Sequence, residues 1–135
     1  MDLSALKPGL NATVEIVVGT RDSAPSIGSG KIPVLATPVM INLIEAAALA
    51  AVEHLLPQGY QSLGTHLDVK HVAATPIGMK VRANAQLVSV DGRTLNFTVS
   101  AHDEREQIGG GTHQRVVVNV ARFDERVQKK LHPPA

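Results

Sequence analysis

The sequence predicts an α+β domain in which a curved antiparallel sheet wraps one long helix. Three observations point that way. Thr37 to Leu56, TPVMINLIEAAALAAVEHLL, is the only long helical pattern; about four strand-like runs follow it; and Asp91-Gly92 sits between two alternating runs as a hairpin turn. At 135 residues the chain is read as one domain, 1–135, with residues 1–10 and 124–135 as loose ends.

Each element has its own signal. Asn11 to Gly19, NATVEIVVG, alternates Thr13, Glu15 and Val17 against Val14 and Ile16, which predicts a first strand. Thr20 to Lys31 carries serine, glycine and proline at turn density and reads as a flexible surface loop or lid. Thr37 followed by Pro38 fits an N-cap with proline at the next position, and Pro57 and Gly59 stop the helix. From Val39 to Leu56 the only polar side chains are Asn42, Glu45, Glu53 and His54, so the helix is expected to be enclosed. Ser62–Val72, Met79–Val90 and Arg93–Asp103 read as strands, and Ile108–Phe123 as a last strand entered through Gly109, Gly110 and Gly111. A glycine run before a strand is not a phosphate loop and suggests a bulge or a close approach instead. A lone helix on a sheet also leaves an edge open, which predicts self-association.

Composition excludes several functions. Thirteen Lys plus Arg against twelve Asp plus Glu give a net charge of +1, with the basic residues scattered, which argues against nucleic-acid and membrane-surface partners. One tyrosine, two phenylalanines and no tryptophan leave little for base stacking. Cysteine is absent, so thiolate catalysis, disulfides and cysteine metal sites drop out. The start MDLSALKPGL lacks the basic and apolar segments of a signal peptide, and the helix, the stretch closest to a membrane span, carries two glutamates and a histidine. The expectation is a cytoplasmic protein.

Glu45 is out of place. Leu43 and Ile44 precede it and Ala46 to Val52 follow, and a lone buried carboxylate needs a partner or a raised pKa. Thr37 lies eight residues earlier and can face the same side, while strand phase groups His71 with Leu67 and Val69. A hydroxyl, a carboxylate and an imidazole around one pocket suit nucleophilic or general-base attack on an acyl group. Each has a plainer alternative: Thr37 as helix cap, Glu45 as a solvated side chain, His71 as a satisfied core histidine. His113 and Arg115 share a strand face, for which a surface position is the plainer reading. His66 and Asp68 lack a third ligand, so no metal site is expected.

The runs ATPVMINLIEAAALAAV, GYQSLGTHLDVKHVAATPIGMKV, VDGRTLNFTVSAHDE and IGGGTHQRVVVNVARF resemble the fluoroacetyl-CoA thioesterase-like branch of the hot dog fold acyl-CoA thioesterases, over roughly residues 11 to 123. The resemblance implies a hot dog fold, a homodimer with active sites at the subunit interface, and hydrolysis of an acyl-CoA to the acid and coenzyme A without a separate cofactor. It carries Thr37, Glu45 and His71 over as the catalytic set and Gly64 as a neighbour of the substrate carbonyl. Glu45 is then either nucleophile or general base, His71 activates the attacking water, and Thr37 positions Glu45 or the carbonyl. Arg115 and Lys70 are candidates for the coenzyme phosphates. Members specific for the fluorinated substrate are expected to carry phenylalanines in the lid; Ser26 to Ala36, SIGSGKIPVLA, has none, which favours a broader or different short acyl group. An enoyl-CoA hydratase and a non-catalytic acyl-CoA-binding module are the alternatives.

Overall fold

Alternation sets the first strand, β1 (Asn11–Val17), which exposes Asn11, Thr13, Glu15 and Val17 and turns Ala12, Val14 and Ile16 partly inward. The structure is a computed structural model in which residues 1–132 are described. Four further strands complete one antiparallel sheet: β2 (Tyr60–His71), β3 (Lys80–Asp91), β4 (Thr94–Asp103) and β5 (Gln107–Asn119), in the order β1-β3-β4-β5-β2. The expected hairpin at Asp91-Gly92 joins β3 to β4.

The long helix, α2 (Thr37–Val52), continues as a 3-10 turn over Glu53–Leu55. Met40, Leu43, Ile44, Ala47, Ala48, Ala51 and Val52 form its buried face, packed chiefly on β1 and β3. That face meets Val81, Ala83, Ala85, Leu87, Leu95 and Phe97 in one core. Small side chains let helix and sheet approach closely. The run Thr37–Leu55 is long and apolar enough to cross a membrane by composition, but here its apolar face is accounted for by the sheet. The helix is not enclosed on all sides, since Asn42, Leu49 and Ala50 remain exposed.

Three expectations of looseness give way to order. The segment after β1 holds a 3-10 turn (Thr20–Asp22) and one helical turn, α1 (Ala24–Ile27), fixed by Ser23 Oγ and Ser26 Oγ donating to the Thr20 carbonyl at 2.6 and 2.7 Å. Ala24 N–H to the Val34 carbonyl and Ala36 N–H to the Asp22 carbonyl, both 2.9 Å, tie it to the chain leading into α2. It is a pinned flap rather than a free loop. The start of the chain is anchored as well, by buried Leu6 and by Gly9 N–H donating to the Leu87 carbonyl at 2.8 Å. The last strand stops at Asn119, whose Oδ1 accepts from Arg122 N–H at 3.0 Å and caps an exposed helix, α3 (Val120–Gln128), where a frayed tail was expected. Residues 133–135 lie outside the described residues.

The glycine run is a close approach. A Cβ on Gly109 would collide with the Lys70 carbonyl and lie 2.7 Å from Met40 Sδ, and one on Gly111 would strike the Asp68 carbonyl. The glycines thus let β5 draw β2 in against the start of α2. A buried carboxylate secures the same corner. Burial pushes the Asp103 pKa up, but donors from Arg105 N–H, Glu106 N–H and Thr75 Oγ1 at 2.8–3.0 Å outweigh it and hold the carboxyl below its ordinary value. The Thr75 carbonyl in turn accepts from Leu35 N–H at 2.9 Å, so the chain just after β2 is stapled to the chain just before α2. That staple brings His71 to Thr37.

Candidate functional site

Ala36, not Thr37, is the N-cap of α2; Thr37 opens the helix and Pro38 takes the second position, where its missing N–H costs nothing. The Thr37 hydroxyl is therefore not consumed as a cap. It lies 2.7 Å from His71 Nδ1. The imidazole is half-buried and its Nε2 is buried without a partner. Burial lowers the His71 pKa below the usual histidine value, opposed only in part by the backbone of Ala73, so the ring is neutral at pH 7. A neutral imidazole on a threonine hydroxyl can serve two ways. It accepts the threonine proton at Nδ1, or it donates there and keeps a lone pair on Nε2 as the base. A cavity of about 310 Å³ opens beside the pair, lined by Ala24, Ser29, Val34, Leu35, Ala73 and Ala74 among others. Apart from the His71 imidazole its walls are aliphatic and hydroxyl side chains, with no phenylalanine, tyrosine or tryptophan.

Glu45 stands apart from this pair and is not alone. Its side chain is 37% exposed, and Oε2 lies 3.6 Å from Arg115 Nη1. Two factors place it there. The β-bulge between Gly64 and His66 shifts strand phase, so Ser62 and Gly64 share the helix-facing side with Leu67, Val69 and His71. Gly64 then leaves room for the carboxylate, since a Cβ there would sit 2.7 Å from Glu45 Oε2.

Arg115 and His113 need correction. Both were given a surface position, and Arg115 was also a candidate for the coenzyme phosphates; they are 4% and 0% exposed. Arg115 donates through Nε to Ser62 Oγ at 2.8 Å and through Nη2 to the Ser62 carbonyl at 3.1 Å, while Nη1 faces His113 Nε2 at 3.2 Å and Glu45. A guanidinium so committed has no free edge for a phosphate. His113 Nδ1 donates to the His66 carbonyl at 2.8 Å, which fixes the tautomer and leaves Nε2 to accept from Arg115. Its pKa is lowered, first by burial. Burial also lowers the Arg115 pKa, with Glu53 and Glu45 pulling it back up.

Sequence reasoning missed Glu53 and Ser62. Glu53 accepts from Ser62 N–H at 2.9 Å and Ser62 Oγ at 2.6 Å. Ser62 thus links Glu53 to Arg115, and Arg115 orients Glu45. The available signal was the strand phase that put His113 and Arg115 on one face. Lys70 is exposed on the same strand as His71 and lines a separate cavity of about 350 Å³ with Val72 and Gln107. Among the described residues no group of three His, Cys, Asp or Glu side chains is placed to hold a metal ion.

Within one chain, then, Thr37 and His71 meet and Glu45 does not join them. Eight helical residues separate Glu45 from Thr37 by ~12 Å of axis, and seven strand residues separate Gly64 from His71 by ~23 Å. In one chain the threonine–histidine pair and the arginine-held carboxylate therefore stand at two separate places.

Comparison with known proteins identifies the family. The family model described as fluoroacetyl-CoA-specific thioesterase matches residues 18–121. A fluoroacetyl-CoA thioesterase from Streptantibioticus cattleyicolor is 45% identical over 97 residues, 72% of this chain and 70% of that protein. A solved fluoroacetyl-CoA thioesterase superposes with a TM-score of 0.88 at 36% identity, covering 96% of this chain and 98% of the other. A variant of the fluoroacetyl-CoA-specific enzyme in complex with fluoroacetate and CoA matches at TM-score 0.82 and 37% identity, over 87% of this chain and 99% of that one. A hot-dog-like protein from Thermanaerovibrio acidaminovorans, 22% identical with a TM-score of 0.87 over 96% of this chain and 97% of its own, shares the fold. With a family model matched over residues 18–121, a 45% identical relative and the same fold, the chain belongs to the fluoroacetyl-CoA-specific thioesterase family of hot dog proteins.

Proposed function

We propose that this protein hydrolyses short acyl-CoA thioesters to the free acid and coenzyme A, and that it does so as a homodimer whose sites are each built from two chains. The observation that carries the reading is the contact between the Thr37 hydroxyl and the His71 imidazole at the start of α2, beside a cavity of acyl size. The open edge of β2 supports the dimer. Among the described residues that strand pairs only with β5, and Leu63 to Asp68 are exposed along it.

An antiparallel two-fold pairing of β2 with its copy, centred on Asp68 and with the bulge at Thr65 absorbing one residue, sets Gly64 opposite the partner's His71. Opposed residues face the same side of a sheet, so Glu45 above Gly64 comes to the partner's Thr37 and His71. The set proposed from sequence is then complete across two chains. The thioester carbonyl lies at the α2 N-terminus, where free N–H groups and the positive dipole end stabilise the oxyanion. Either Glu45, held by Arg115, attacks the carbonyl and expels the coenzyme A thiolate, and water then opens the acyl anhydride while neutral His71 takes its proton; or Glu45 takes the proton of a water that neutral His71 orients, and that water attacks the carbonyl and expels the thiolate. In both cases the thiolate departs without needing full protonation.

A panel of short acyl-CoAs assayed by thiol release tests this. Expected is turnover of unbranched aliphatic acyl groups of a few carbons, with no marked preference for the fluorinated one, since the cavity walls hold no phenylalanine, tyrosine or tryptophan. Activity should be lost as pH falls through the His71 pKa, which burial lowers and the partner's Glu45 carboxylate raises, because only the neutral imidazole works as base. An absence of thiol release across the panel, or a kcat/KM that stays flat on the acid side, overturns the reading.

A further inference from the structure

The geometry points to a second binding site, for the phosphate groups of the coenzyme, at the end of the sheet where β2 begins. Three guanidinium side chains border one cavity of about 330 Å³: Arg93 from the β3–β4 turn and Arg122 and Arg126 one turn apart on α3. All three are exposed, and none forms an ion pair with a described carboxylate. Tyr60 and Asn119 border the same space, as does one acid, Glu125, so the lining carries two net positive charges in a chain whose whole net charge is +1.

Chemistry selects the ligand. Planar guanidinium groups converging from two elements suit phosphate oxygens, which accept two N–H bonds from one fork. The helix cap at Asn119 fixes the first turn of α3 and hence the base from which Arg122 projects. Position selects the source. Tyr60 precedes Gly64 on β2 by four residues, a span of ~13 Å, and Gly64 adjoins Glu45. An extended pantetheine arm is longer than this. A thioester carbonyl at Glu45 therefore leaves the diphosphate and ribose phosphate of coenzyme A within reach of the three arginines. The assignment rests on the thioesterase reading for its choice of ligand, and it replaces Arg115 with groups that are free to bind.

The test compares ligands with and without phosphates, on full-length protein carrying Arg122→Gln and Arg126→Gln together. Both positions are exposed, so folding is expected to be unaffected. KM for a short acyl-CoA should rise roughly tenfold and become less sensitive to added salt. The penalty should be confined to substrates bearing phosphates and be absent with the matching N-acetylcysteamine thioester. Calorimetry with coenzyme A, pantetheine, ADP and inorganic phosphate reads the site directly. Wild type should bind coenzyme A more tightly than pantetheine, with ADP competing, and the double variant should lose that difference. An unchanged KM for acyl-CoA, or an equal loss on the truncated thioester, overturns the subsite. If wild type turns over no thioester yet shows the arginine-dependent preference for coenzyme A, the hydrolase reading fails and the subsite stands.

Discussion

His71→Ala and Glu45→Gln, each nearly inactive alone, should regain activity when the two variants are mixed. Removing either group is expected to lower kcat by about 10²–10⁴-fold, the usual contribution of a positioned acid or base. Random reassortment of equal amounts makes half of the dimers mixed. A mixed dimer pairs the intact Thr37 and His71 of one chain with the intact Glu45 of the other, so one of its two sites is wild type and the other lacks both groups. Recovery of roughly a quarter of wild-type activity follows. The measurement is thiol release before and after exchange, with light scattering to establish that dimers form. A site contained within one chain predicts no recovery, because every site would still lack one residue. Dimers that exchange and stay inactive would refute the two-chain assembly.

The order strand, flap, helix, four strands was legible because helix and strand periods differ so plainly here, with Thr37 to Leu56 apolar at every turn and Asp91-Gly92 fixing a hairpin. Glu45 and His71 stood out for a related reason: each is polar in a setting whose pattern is apolar. What the pattern could not convey was pairing. The bulge at Thr65 shifts strand phase without leaving a composition signal, so Gly64 and Ser62 were not seen to join the face of His71. Arg115 and His113 looked like surface residues because charged side chains are seldom buried, and only three-dimensional contact reveals that Ser62, Glu45 and the His66 carbonyl satisfy them. The α3 helix escaped notice since its residues are mostly exposed and its charges dominate the tail. The Thr37 cap was a reasonable reading of Thr-Pro, displaced by one position when Ala36 took the cap and the hydroxyl turned to His71.

Gly64→Ala should leave the fold intact and cost roughly 10²-fold in kcat. The added methyl would lie 2.7 Å from Glu45 Oε2 and 3.1 Å from His113 Cε1, so one of the two must move. His113 is the less able. Its ring is fully buried, stacked on Phe97 with centroids 6.0 Å apart, and held through Nδ1 by the His66 carbonyl. Glu45 reaches the site on a flexible stem and is partly exposed, so the carboxylate shifts and its ion pair with Arg115 loosens. A displacement of about 1 Å in a group that must attack or deprotonate is enough for a loss of that size. Stability should change by less than about 1 kcal/mol, or some 3 °C in Tm, because the strain is relieved at a side-chain tip. Coupling provides the decisive control: Glu45→Asp withdraws the carboxylate from the new methyl, so adding it to Gly64→Ala should cost far less than it costs the wild type. Additive losses, or near-normal turnover by Gly64→Ala, would mean that Glu45 does not work from the position in which Arg115 holds it.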